Sequence, residues 1–137
     1  MIARSSSGLP DQLAESNDLI ATIRAGADFK DVEKLASSTS LTIERLADAL
    51  SISRRTLSQR KQEGRLKSNE SDRLIRFARL WQMIVDLHDG DLIASHVWLT
   101  TPKKGLANES PLNFARSEVG SREVESLIGR LTHGVFS

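Results

Sequence analysis

The side chains best suited to chemistry in this chain lie in one short run. Arg54, Arg55, Thr56, Ser58, Gln59, Lys61 and Gln62 follow one another with only Leu57 and Arg60 interrupting. Guanidinium, amide and hydroxyl groups at this density suit base edges and phosphate oxygens. The charge is local as well. From Arg54 to Lys67 six bases (Arg54, Arg55, Arg60, Lys61, Arg65 and Lys67) stand against one acid, Glu63, a net +5, whereas the whole 137-residue chain carries +1. A concentrated basic patch of this kind is what a phosphate backbone attracts. Arg65 and Lys67 therefore join the seven residues above as the expected DNA-contacting set.

Other chemistry is poorly provided for. The absence of Cys excludes disulfides and thiolate metal sites. His88, His96 and His133 are scattered without the paired spacing of metal ligands, so neither a metal nor a cofactor is expected. There is no G-x-S-x-G elbow, phosphate-binding P-loop or Gly-rich dinucleotide fingerprint. Glu70 and Asp72 fall at the start of a helix, where the macrodipole accounts for acidic residues without acid–base catalysis. An enzyme is not expected.

The elements that would position the basic run form a helix-turn-helix over residues 41–64. Thr42 can cap a helix with Ile43, Leu46, Ala47 and Leu50 inward, Ala47 being the small residue where two helices cross. Ser51-Ile52-Ser53 supplies the turn and Ser53 caps the second helix, which Ile52 and Leu57 anchor and Gly64 ends. Two positions depart from the usual pattern. Arg60 stands where an apolar residue is common, its stem expected to pack while the guanidinium reaches outward. Ser51 stands where Gly is commoner.

Around this motif the chain reads as all-α. Aromatic residues make up 4% and Tyr is absent, which argues against a sheet. Residues 1–17 read as a disordered Ser- and Gly-rich arm, and Asn17 as the cap of a first helix ending at Gly26. A second helix starts near Asp28, with Phe29, Val32, Leu35 and Ala36 on one face. From about Asn69 a long helix aligns Leu74, Phe77, Ala78, Trp81, Ile84, Val85 and His88, flanked by Leu80, Met83 and Leu87. That width fits either the centre of the monomer core or, in part, a dimer seam. After Asp89-Gly90 comes a helix with Leu92, Ile93, Val97, Trp98 and Leu99, then a loop over 101–109. Ser110-Pro111 opens a short helix. Gly120-Ser121 begins the last helix, with Val124, Leu127, Ile128 and Leu131 at helical spacing. The first fifteen residues lack the apolar run of a secretory signal, and no stretch approaches the ~20 apolar residues of a membrane span. A cytoplasmic protein without membrane contact is expected.

The order of motifs resembles the Xre/MbcA/ParS antitoxin family, bacterial proteins that join an Xre-like helix-turn-helix to a C-terminal toxin-binding domain. The resemblance rests on Ser53-Arg54-Arg55-Thr56-Leu57, Arg60-Lys61 and Gly64-Arg65-Leu66. Glu70-Ser71-Asp72-Arg73-Leu74 then heads the long helix. Further along come Trp98-Leu99, Ser110-Pro111-Leu112, Gly120, Val124, Leu127, and Arg130 through Gly134-Val135. It implies a helix-turn-helix domain over 18–89, including the long helix, and a toxin-binding domain over 90–137. It also implies a RES-domain, NAD-consuming toxin as partner, repression of the operon through operator DNA, and a homodimer. The implied toxin contacts are Trp98, Leu99, Arg130, Leu131, His133, Gly134, Val135 and Phe136. Leu131, Val135 and Phe136 suit insertion into a concave partner surface, and equally the closing of the domain's own core. A stand-alone dimeric helix-turn-helix repressor is the alternative reading.

Overall fold

The computed structural model describes residues 9–134, with side chains from Asn17 onward. The expected all-α fold class is found. The helices are α1 (Leu9–Ala25), α2 (Phe29–Thr39), α3 (Ile43–Ala49), α4 (Arg54–Glu63), α5 (Ser68–Leu87), α6 (Leu92–Thr100), α7 (Pro111–Phe114) and α8 (Glu118–His133), with a 3₁₀ turn at Lys104–Leu106. Among the described residues there is no strand, only isolated bridges pairing Asp28 with Arg65 and Lys103 with Glu109. None of the described helices is long and apolar enough to cross a membrane.

Short polar side chains set the helix starts. Asp28 accepts the Lys30 N–H at 2.9 Å, Thr42 that of Arg45 at 3.0 Å, Ser53 that of Thr56 at 3.2 Å and Ser110 that of Asn113 at 3.2 Å. Each satisfies a donor that the helix leaves without a partner. Two starts differ from expectation. α1 begins at Leu9 instead of behind Asn17, so residues 9–17 of the supposed arm are helical, while residues 1–8 lie outside the described part. α8 begins at Glu118 and is capped by Ser117, whose hydroxyl accepts the Gly120 N–H at 2.9 Å. Gly120 therefore lies within the helix, at a position that takes glycine because a side chain would collide with the Phe114 carbonyl where α7 meets α8.

α5 is the centre of the molecule. Its Leu74, Phe77, Leu80, Trp81 and Ile84 are buried, and α1, α2, α6 and α8 all pack against it. The broad stripe is therefore core within one chain. Ile75 and Met83 remain at its margin, where with Leu19, Ile20 and Ile23 of α1 they line an open groove. One apolar cluster runs from Val32 and Leu46 through Leu80 to Leu99, Leu112, Val124 and Ile128, so the two ends of the chain share a core.

Polar ties reinforce this union. Trp81 Nε1 donates to Ser38 Oγ at 3.1 Å, His96 Nδ1 lies 2.8 Å from the Thr39 carbonyl, and Arg73 Nε donates to the Leu50 carbonyl at 2.7 Å. The α1–α2 link is stitched to the exit of α4 by Leu66 N–H to Ala27 O at 2.8 Å and Phe29 N–H to Gly64 O at 3.0 Å. Gly26 permits that close approach. Its φ is +88°, and a Cβ would strike the Leu66 carbonyl.

Candidate functional site

The predicted helix-turn-helix is formed by α3, a turn and α4. Leu46, Ala47 and Leu50 are buried on the first helix, Ile52 in the turn, and Leu57 behind the second. Ser51 takes the left-handed conformation at φ +58° that Gly more often supplies, and the Ile52 N–H closes the turn on the Ala47 carbonyl at 2.8 Å. The rigid turn fixes how α4 leaves α3. Arg54, Arg55, Ser58, Gln59, Lys61 and Gln62 are all exposed. Helical spacing gathers them on one half of α4, opposite Leu57 and Arg60. Thr56 is half-buried beside its cap, its hydroxyl accepting from Ser53 Oγ at 3.0 Å. Arg54 and Arg55 sit in the first turn, where no acidic residue stands. The positive end of the helix dipole disfavours cations there, so this placement serves an incoming anion better than it serves the isolated helix.

Two members of the basic run are turned to other work. Arg60 is 7% exposed and does not reach outward as expected. Its Nε lies 2.7 Å from Glu70 Oε1 at the head of α5, and Nη1 lies 3.3 Å from Glu63. The guanidinium is instead held between two carboxylates, one on its own helix and one at the head of α5. Glu70 is thus more than a dipole partner. It joins the recognition helix to the central helix and also accepts the Lys67 N–H at 2.9 Å. Burial raises the Glu70 pKa, but hydrogen bonds from Arg60 and the Lys67 backbone, with the charges of Arg60 and Arg73, outweigh that and hold it below the usual carboxylate range. The hydrogen bond to Glu70 raises the Arg60 pKa in turn. Arg65 points at the end of α1, donating to the Gly26 carbonyl at 2.6 Å. Lys67 is exposed just before α5. Of the six bases in the run, Arg54, Arg55, Lys61 and Lys67 are exposed with no side-chain partner among the described residues, Arg65 is exposed with Nη1 engaged at Gly26, and Arg60 is buried.

The expected partner contacts at the C-terminal end are scattered. Leu99 is 0% exposed and belongs to the core, which corrects its assignment to a contact surface. Trp98 is half-buried, with His88 edge-on at 6.1 Å and Lys103 Nζ 4.8 Å from its ring centroid. Burial lowers the Lys103 pKa. Arg130 and His133 are exposed on α8, Leu131 is half-buried, and Gly134 ends the helix with φ +70°. Val135 and Phe136 lie outside the described residues.

Residues 18–79 match the family model of the antitoxin Xre-like helix-turn-helix domain, and residues 85–134 that of the antitoxin Xre/MbcA/ParS C-terminal toxin-binding domain. An Antitoxin Xre of Yersinia enterocolitica is 36% identical over 131 residues, covering 95% of this chain and 87% of the relative. The chain belongs to the Xre antitoxin family. A second Antitoxin Xre, from Photorhabdus laumondii, is 36% identical over 75 residues, which is 55% of this chain and 51% of that protein. The molecule is accordingly a regulatory antitoxin with a DNA-binding helix-turn-helix, and not an enzyme.

Within the toxin-binding segment of this antitoxin lies a surface that sequence reasoning did not single out. Leu92, Ile93 and Val97 of α6 are exposed, while Ser95 and Leu99, turned away from Ile93 and Val97, are buried. A signal was present in the sequence. LIASHVWLT has apolar residues all round the helix and no charge, so it carries more apolar surface than one side can hide.

Proposed function

We propose that this antitoxin neutralises a RES-domain toxin that consumes NAD, and that it represses its own operon as a homodimer on operator DNA in the bacterial cytoplasm. The observation carrying the reading is the union, over one apolar core, of an outward basic and polar α4 with a toxin-binding module. The RES identity of the toxin rests on the family resemblance of the motifs. Arg54, Arg55, Thr56, Ser58, Gln59, Lys61 and Gln62 read the operator, and Lys67 contacts phosphate. In a homodimer the two α4 helices would enter successive major grooves about 34 Å apart. Trp98, Arg130, Leu131, His133 and Gly134, with Val135 and Phe136, are the proposed toxin contacts.

Co-expression with the RES-domain protein of the neighbouring gene is the test. The expected result is restored growth, a complex that co-purifies, and salt-sensitive binding of that complex to its own promoter in a gel shift. Growth arrest that the antitoxin does not relieve would overturn the neutralising role. Promoter binding no stronger than that to unrelated DNA would overturn the repressor role.

A further inference from the structure

We infer that the outer face of α6, centred on Ile93 and Val97, is the principal anchor on which the toxin docks. The inference rests on the reading that the C-terminal module of this chain binds a toxin, and it moves the centre of that contact from the end of α8 to α6. Ile93 is 80% exposed, Val97 55% and Leu92 52%. Ile93 and Val97, four residues apart, are neighbours on the helix surface, and Leu92 is exposed separately in the first turn. A chain only 39% apolar, with a core to fill, leaves Ile93 and Val97 side by side in water, with Leu92 also exposed on the same short helix. A cluster of that kind marks a surface that another molecule covers.

The face is built as a binding surface. α6 contains no charged residue, while Asp89 and Asp91 flank its start and Lys103 and Lys104 follow its end. An apolar centre with a charged rim is the usual anatomy of a protein–protein contact. The helix is also held rigid from behind. Leu99 and Ser95 are fully buried, Asp91 caps the first turn through the Ala94 N–H at 3.0 Å, and His96 is tied to the Thr39 carbonyl. Little ordering is left for the partner to impose, which favours affinity. Its place inside residues 85–134, the toxin-binding segment, makes the toxin the occupant. The matching toxin surface is an uncharged apolar groove that takes a helix by anchors at successive turns.

The experiment uses the full-length antitoxin and the toxin of the adjacent gene. Ile93→Asp and Val97→Asp are compared with wild type and with Ile93→Leu. Binding is read by titration, folding by circular dichroism, DNA binding by gel shift and oligomeric state by sedimentation. The aspartates are expected to weaken toxin binding by at least about thirtyfold, the loss typical of a central anchor. Ile93→Leu should bind as wild type, and all variants should melt and bind DNA as before. Aspartate variants that hold the toxin as tightly as wild type would overturn the inference. So would variants that fall from dimer to monomer yet keep full toxin affinity, since the face would then join two copies of this chain. If wild type itself does not bind the toxin, the reading beneath the inference fails and the inference falls with it.

Discussion

α4 and α6 are short helices of similar length, each packed on one side against the same core, yet their outer sides are opposites. The outside of α4 carries arginine, lysine, glutamine and serine, and that of α6 carries leucine, isoleucine and valine. A charged, hydrogen-bonding face suits a hydrated polyanion, to which binding is salt-dependent. An uncharged aliphatic face suits a dry contact, whose strength comes from area removed from water. The inner sides differ too. α6 is held by Leu99, whereas α4 is held by Leu57 and an ion pair to α5. On the proposed reading, two partners of unlike chemistry are served by one architecture, with the distinction carried mainly by outward side chains.

The contrast can be tested from its strongest point to its weakest. Leu99→Ala should cost about 2–5 kcal/mol of stability through the cavity it leaves. Because the core is shared, denaturant unfolding should remain a single transition with both DNA and toxin binding lost in it. Two separate transitions would show that the halves are independent. Next, Glu70→Gln should destabilise the protein by leaving Arg60 without its ionic partner, and the double change Arg60→Met with Glu70→Met should recover part of the loss. The acid dependence has a definite sign. The folded pKa of Glu70 lies below its unfolded value, so the ion pair's contribution is present above the normal carboxylate pKa near ~4.3 and fades as pH falls through the depressed one. Acid titration of the melting temperature should show this component in wild type and not in Glu70→Gln.

Smaller effects sharpen the picture of α4. Arg55→Ala or Gln59→Ala should lower specific operator affinity by about 1–3 kcal/mol in a gel shift while leaving the melting temperature unchanged. Lys67→Ala should weaken binding to every sequence and reduce the salt slope by about one. Arg65→Ala is expected to do the reverse, lowering thermal stability more than DNA affinity, since its guanidinium is engaged at Gly26.

Much of this architecture is legible in the chain because helix caps are local. Thr42, Ser53 and Ser110 announce their helices within three residues, and the spacing of Leu74, Phe77, Trp81 and Ile84 announces the central one. What stays hidden depends on residues far apart. Arg60 meets Glu70 only after the chain has turned from α4 into α5, and Arg65 finds the end of α1 across 39 residues. Gly120 reads as a helix start because nothing nearby reveals that the Phe114 backbone lies against it. The start of α1 at Leu9 is missed because the Ser, Gly and Pro of residues 5–10 read as a loop. The α6 face was obscured differently, since the letters show six apolar residues but not which of them the core takes.

The way α4 is fastened has an evolutionary consequence. Its attachments, Leu57 and the Arg60–Glu70 pair, lie behind the helix, and among the described residues no side-chain hydrogen bond ties Arg54, Arg55, Ser58, Gln59, Lys61 or Gln62 to the rest of the molecule. Those six positions can mutate without disturbing what keeps the protein folded. If these positions read the operator as proposed, duplicated copies of such a gene could acquire separate operators by single substitutions, and cease to regulate one another, while each retains its own toxin.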